Sequence, residues 1–135
     1  MRLLVVEDHL DTATLLSRLL SMDGHAIDIA GDISSALELC ERNNYDVLLA
    51  DIELPDGSGW ELMKTLLKRR PVRAIAISGH GYNTDVQKSI QAGFAEHLTK
   101  PITIENLYAA IERVGSLPLG EGPGSTLGEG NIPEF

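Results

Sequence analysis

At 135 residues, with 43% hydrophobic and 23% charged side chains, the chain has the composition of one globular domain built on a single core. A net charge of −9 argues against nonspecific nucleic-acid binding, which depends on Lys and Arg neutralising phosphates. The lone cysteine, Cys40, excludes an internal disulfide and suits a reducing, cytoplasmic setting, and no apolar run approaches the ~18 residues of a membrane span.

Strand-like residues begin almost at Met1, so no leader is expected. Numbered in chain order, strands are expected at Leu3–Val6 (β1), Ile27–Ala30 (β2), Val47–Ala50 (β3), Ala74–Ile77 (β4) and, more weakly, around His97-Leu98 (β5). Several are apolar throughout, as parallel strands covered on both faces are. Segments of helical period lie between them. Leu15, Leu16, Leu19 and Leu20 make one apolar stripe (α1) that ends before Gly24. Asp32 is the expected N-cap of a second helix (α2) carrying Ala36, Leu37 and Cys40. Ser58 with Glu61, and Thr84 with Gln87, have capping-box spacing at the heads of α3 and α4, and Gly93 is placed to end α4. The last helix, α5, starts near Thr103 and aligns Ile104, Leu107, Ile111 and Val114. This alternation predicts a doubly wound α/β sandwich, (βα)5, with a parallel five-stranded sheet in the order 2-1-3-4-5, flavodoxin-like. Residues 1–114 are the expected folded domain. From Gly115 the chain holds nearly half of its 13 glycines, half of its 6 prolines and no Lys or Arg. Residues 115–135 therefore read as a disordered tail or linker with no output domain, their terminal Ile132-Pro133-Glu134-Phe135 open to a cloning origin.

Glu7 and Asp8 follow β1, Asp51 follows β3, Ser78 follows β4, and Lys100, before Pro101, follows β5. In doubly wound sheets ligands bind outside the carboxyl ends of the strands where the winding reverses, and in this order β1 and β3 flank that reversal. Two unit charges about 4 Å apart repel by roughly 4 kcal/mol at an effective dielectric of ~20. Three neighbouring carboxylates therefore call for a cation, and a hard divalent ion with oxygen ligands, Mg²⁺ or Mn²⁺, is the natural one. Asp8 and Asp51 are candidate direct ligands, with Glu7 acting through water. Lys100 suits a phosphate as a compact point charge, and Ser78 supplies a hydroxyl. A carboxylate, a metal, a lysine and a hydroxyl around one point suit phosphoryl transfer, with Asp51 as nucleophile forming an aspartyl phosphate.

Glu7-Asp8, then Asp51 before Leu54-Pro55-Asp56-Gly57-Ser58-Gly59, then Ser78, then Lys100-Pro101, resembles the receiver domain of bacterial two-component response regulators. The similarity covers about residues 2 to 114, and four motifs in order on the correct strands are highly specific. The resemblance implies a phosphoacceptor switch of a phosphorelay. A phosphohistidine on a sensor histidine kinase or histidine phosphotransfer protein would donate its phosphoryl group to Asp51. It also implies that the Glu53 backbone carbonyl completes the Mg²⁺ ligands and that the Lys100–Pro101 bond is cis. Such domains catalyse their own phosphorylation and dephosphorylation, with no external metabolite as substrate. Glu7-Asp8-His9 with Asp11-Thr12, and Gly93-Phe94 before His97-Leu98-Thr99, further resemble receivers of hybrid sensor kinases, of which this domain would then be a part. In the family, Ser or Thr moves toward the phosphate and an aromatic ring follows, reshaping the α4–β5–α5 face for a downstream protein. Ser78 and His97 occupy those switch positions, but His97 replaces the usual Tyr or Phe, and Gly79 replaces the usual Ala. Glu53 and His80 are expected to overhang the site and tune the lifetime of the aspartyl phosphate.

Several residues have plainer readings. His9 is a loop residue, His25 a structural one, Cys40 an inert core thiol and Trp60 a packing residue. Lys68-Arg69-Arg70 reads as a solvated helix end favourable to the helix dipole. Three rivals remain to be set against the receiver reading. A pseudo-receiver, a binding module that never takes phosphate, should have lost an acid or the lysine, and here all are kept. Aspartate-nucleophile phosphatases resemble Asp-x-Asp-x-Thr after the first strand, whereas this chain has Asp51-Ile52-Glu53 after the third. A flavodoxin needs a glycine- and hydroxyl-rich loop where Glu7-Asp8-His9 would repel phosphate.

Overall fold

Two strands, Val47–Asp51 (β3) and Ala74–Ser78 (β4), are buried at every residue, so the centre of the sheet has no solvent face. The computed structural model describes residues 1–79 and 83–119. Beside the central pair run Arg2–Val6 (β1), Ala26–Ala30 (β2) and Glu96–Thr99 (β5). All pairings are parallel, in the order β2-β1-β3-β4-β5. A short antiparallel ribbon, Glu53–Leu54 with Gly57–Ser58, hangs from the end of β3. The helices are Leu10–Met22 (α1), Ile33–Arg42 (α2), Gly59–Leu67 (α3), Asn83–Ala92 (α4) and Ile104–Gly115 (α5). Among the described residues no helix is long and apolar enough to cross a membrane.

The strand period of two divides the core. Leu3, Val5, Val47, Leu49, Ile75 and Ile77 pack with Leu20 of α1 and Leu107, Ile111 and Val114 of α5. Leu4, Val6, Leu48, Ala50, Ala74 and Ala76 face the other way, onto Ala36 and Cys40 of α2 and Leu62, Met63 and Leu66 of α3. Continuous apolar runs are thus two alternating half-sets, one for each helical layer.

The helix ends follow local chemistry. The side chains of Asp32, Ser58 and Thr103 accept from the N–H groups of Ser35, Glu61 and Asn106, capping α2, α3 and α5. At the end of α4, Gly93 takes φ +111°, and the Phe94 N–H reaches back to the Ser89 carbonyl at 3.0 Å. Three expectations need correction. Thr84 lies inside the first turn of α4, which already includes Asn83, so it is not the N-cap. In α1 the inward row is Ala13 and Leu20, both buried, with Leu16 half-buried between them, and Leu15, one step of about 100° from Leu16, is 59% exposed. Arg69 and Arg70 are not simply solvated. They bond Glu41 at 3.2 Å and Asn44 at 2.7 Å, because the end of α2 lies beside the end of α3.

The chain after α5 stays on the molecule. The Arg73 guanidinium, just before β4, donates to the Leu117 carbonyl at 2.8 Å and to the Asp46 carbonyl at 3.1 Å. Leu119 then lines a small apolar cavity with Cys40, Tyr45 and Val72. The expected disorder of the tail falls, from residue 120 on, outside the described residues.

The start of α3 abuts the end of β3. The Gly59 N–H donates to the Ile52 carbonyl at 2.8 Å, and a Cβ on Gly59 would lie 2.6 Å from the Asp51 carbonyl oxygen. Gly59→Ala is therefore expected to cost about 1–3 kcal/mol of stability in urea unfolding. Gly31→Ala, whose added methyl meets nothing within 4 Å, should stay within about 0.5 kcal/mol of wild type. Equal midpoints for the two variants would contradict this close approach.

Candidate functional site

The carboxyl ends of β1, β3, β4 and β5 bring Glu7, Asp51, Ser78 and Lys100 to one edge of the sheet. Glu7 and Asp51 are 4% and 7% exposed, which would leave two anions poorly hydrated side by side. Lys100 answers both: its Nζ lies 3.3 Å from Asp51 Oδ2 and 3.4 Å from Glu7 Oε1. Its backbone N–H donates to the Ser78 carbonyl at 2.8 Å, which anchors the end of β5 on β4, and the Lys100–Pro101 peptide is cis.

The remaining carboxylate oxygens have assigned tasks. Asp51 Oδ1 accepts from the Glu53 backbone N–H at 3.0 Å, which fixes the carboxylate against the first residue of the ribbon. Glu7 Oε2 accepts from the His9 N–H at 3.1 Å and lies 3.2 Å from His9 Nδ1. The more exposed Asp8 carboxylate sits beside them, Oδ1 3.6 Å from His9 Nδ1. His9 is also the N-cap of α1, but its side chain makes no capping bond. Potential ligand atoms of Glu7, Asp8 and His9 all lie within 4.8 Å of one another. Ser78 is buried at the end of β4. It shares with Glu53, Trp60 and Asp85 the lining of a cleft of about 430 Å³ beside Asp51.

Carboxylate and backbone-carbonyl oxygens are the donors a hard divalent cation takes, so Glu7, Asp8, Asp51 and the Glu53 carbonyl fit Mg²⁺ chemically. The structure thus gathers Glu7, Asp8, Asp51, Glu53, Ser78 and Lys100 at one edge. His80 lies outside the described residues.

His97 stands apart, on β5 facing α4. Its Nδ1 meets Ser89 Oγ at 2.8 Å, and the same Oγ accepts from Trp60 Nε1 at 2.9 Å. A polar chain therefore runs from α3 through fully buried Ser89 to β5, while His97 Nε2 is buried with no partner among the described residues. Sequence reasoning missed Ser89. The signal available was one polar side chain on the inward row Val86, Ser89 and Ala92 of α4. Trp60 is a donor and not only packing, with Lys88 Nζ 5.2 Å from its ring centroid.

Burial works against the Lys100 charge, yet the Asp51 and Glu7 carboxylates outweigh it and hold its pKa above the ordinary lysine value. A raised folded pKa contributes stability fully below the unfolded value of ~10.4, and that contribution is lost as pH climbs through the folded value. Between about pH 9.5 and 11.5 the urea midpoint of wild type should fall more steeply than that of Lys100→Met. Parallel profiles would show that the ammonium is not held by these acids.

Residues 3–112 match the family described as the response regulator receiver domain. The chain is 32% identical over 123 residues to the transcriptional regulatory protein TcrA of Mycobacterium tuberculosis, covering 87% of this chain and 48% of that protein. It is 34% identical over 116 residues to an uncharacterized 14.6 kDa protein in the sodA1 3′ region of Leptolyngbya boryana, covering 84% of this chain and 88% of that one. The chain thus spans about half the length of some of the curated relatives it matches. Among solved structures, the non-phosphorylated HemR receiver domain from Leptospira biflexa superposes with a TM-score of 0.80 at 28% identity, covering 87% of this chain and 95% of that one. The receiver domain of the Francisella response regulator 1452 gives a TM-score of 0.81 at 27% identity, over 84% of this chain and 95% of that one. With the order β2-β1-β3-β4-β5 and the acids and lysine gathered at one edge, the chain belongs to the response regulator receiver domain family.

Proposed function

We propose that the protein is a phosphoacceptor switch. In this reading Asp51 takes a phosphoryl group from a phosphohistidine on a sensor histidine kinase or histidine phosphotransfer protein, in the cytoplasm. The observation that carries it is the single ammonium of Lys100, 3.3 Å from buried Asp51 and 3.4 Å from buried Glu7. An Asp51 carboxylate oxygen forms the new O–P bond as the donor's N–P bond breaks, and the electron pair of that bond stays on the departing imidazole. Lys100 remains protonated. It exchanges its contact with the carboxylate for one with the phosphoryl oxygens, while the Ser78 hydroxyl donates to another. Asp8, Asp51 and the Glu53 carbonyl would hold Mg²⁺, with Glu7 acting through water; bound there, the ion offsets negative charge on the transferring oxygens.

Incubation with Mg²⁺ and a small acyl phosphate should add the mass of one phosphoryl group to wild type and nothing to Asp51→Asn. No adduct on wild type, or an equal adduct on the variant, would overturn the proposal and leave the pseudo-receiver, a protein-binding module, as the better reading. Glu53→Ala and His80→Ala, followed in the same assay, should change how fast the adduct is lost, since these side chains control access of the attacking water.

Output is carried, in this proposal, by Ser78 and His97 to the α4–β5–α5 face and from there to a protein partner. Direct contact with nucleic acid is disfavoured by the charge of −9. Movement of His97 would disturb Ser89 and hence the Trp60 indole. Phosphorylation should therefore change the emission of Trp60, the only tryptophan, and Ser89→Ala and His97→Phe should each suppress that change. A full response in both variants would remove His97 from the path.

A further inference from the structure

An α-helix begins with N–H groups that no helical carbonyl can reach, and at the head of α2 side chains take three of them. The Ser35 N–H goes to the helix's own N-cap, with Asp32 Oδ1 at 2.7 Å. The other two are taken from across the fold: Ile33 N–H donates to Asp56 Oδ1 at 2.9 Å, and Ser34 N–H to Asp56 Oδ2 at 3.2 Å. The first turn of α2 contains no acid, so Asp56 joins the Asp32 N-cap in supplying the negative charge that the helix dipole favours there.

Asp56 is not placed at random. Residues Glu53 and Leu54 pair with Ser58 and Gly57, which leaves Pro55 and Asp56 as the tip of the ribbon. An isolated two-stranded ribbon of this length has little stability of its own. Its apolar hold on the domain is Leu54, at the margin of the core, and its polar hold at the tip is Asp56 on α2. At the other end of the ribbon, the Glu53 N–H fixes Asp51 Oδ1 at 3.0 Å.

We infer that Asp56 is a positioning residue for the Asp51 centre: by clamping the tip of the ribbon to the head of α2, it holds the Glu53 backbone in register with the Asp51 carboxylate. This inference rests on the reading of Asp51, Asp8 and the Glu53 carbonyl as the Mg²⁺ site. Asp56 touches none of the reacting groups. It acts through the peptide on either side of Glu53, whose N–H orients the nucleophile and whose carbonyl completes the donor set. Supports of this kind tune metal affinity because they fix where a ligand can be.

The test is an NMR amide titration with Mg²⁺ on the full chain, with urea unfolding of each variant in parallel. Asp56→Ala should raise the Mg²⁺ Kd by about 3–10-fold, below the ~10–100-fold of partners that bond a metal ligand's own side chain, because Asp56 is exposed and acts through the ribbon. It should also shift the Glu53 amide proton in the metal-free protein. Asp56→Asn, which keeps one acceptor, should fall between wild type and Asp56→Ala, and it serves if the alanine variant does not fold. Asp32→Ala removes a cap from the same helix without touching the ribbon. It should lose a similar amount of stability while leaving the Kd and the Glu53 amide at wild-type values. A wild-type Kd and Glu53 shift in the Asp56 variants would overturn the inference, and so would an equal Kd change in Asp32→Ala. If wild type shows no Mg²⁺ response, the reading of the metal site fails first, and the inference falls with it.

Discussion

One ammonium group reconciles two buried carboxylates that no apolar sheet would otherwise tolerate. Glu7 follows β1 and Asp51 ends the neighbouring β3, while Lys100 follows β5 at the edge. For Nζ to reach both acids, β4 must lie between with its end level with theirs. The Lys100 N–H bond to the Ser78 carbonyl sets that level. The strand order, the burial of the central pair and the cluster of charge are therefore a single arrangement. Removing any one of the three charges leaves the others short of solvation or of a partner.

The charged edge and His97 occupy separate parts of the fold. The charged edge is built from strand ends and the ribbon, whereas His97 packs against α4 through Ser89 and Trp60. Where the family uses an aromatic ring, this chain has a polar ring bonded on one nitrogen and unpartnered on the other among the described residues. The ring is tied to α4 through its Nδ1 contact with Ser89. Trp60 lies at both ends of the matter, lining the cleft beside Asp51 and donating to Ser89.

The sheet and its ligating edge are legible in the sequence because each rests on short-range pattern. The apolar runs of β1, β3 and β4, ended by acids or a hydroxyl, specify both those strands and the groups at their exits, and Lys100 before Pro101 marks the exit of the more polar β5. What escapes is set by partners distant in the chain. Ser89 is an ordinary helix residue until Trp60 and His97, 29 and 8 positions away, close on it. Asp56 belongs to a recognisable motif, yet its partners at Ile33 and Ser34 are fixed only when α2 packs beside the ribbon. Leu15 fits an apolar stripe by type, but the stripe that is buried depends on how α1 is rotated against β1 and β2. Arg69 and Arg70 look like solvated charges until the end of α2 supplies acceptors.

The anchoring of Leu117 by Arg73 fixes where the chain leaves the domain. Arg73 stands just before β4 and Asp46 just before β3, so Leu117 and Leu119 lie at the edge where the strands begin. Asp51 lies at the edge where they end, a five-residue strand or roughly 16 Å away. Residues that continue past Leu119 thus start from the pole opposite the acids. Were Asp51 to take a phosphoryl group as proposed, the added charge would lie a full strand's length from the Arg73 anchor, on the far side of the packed sheet.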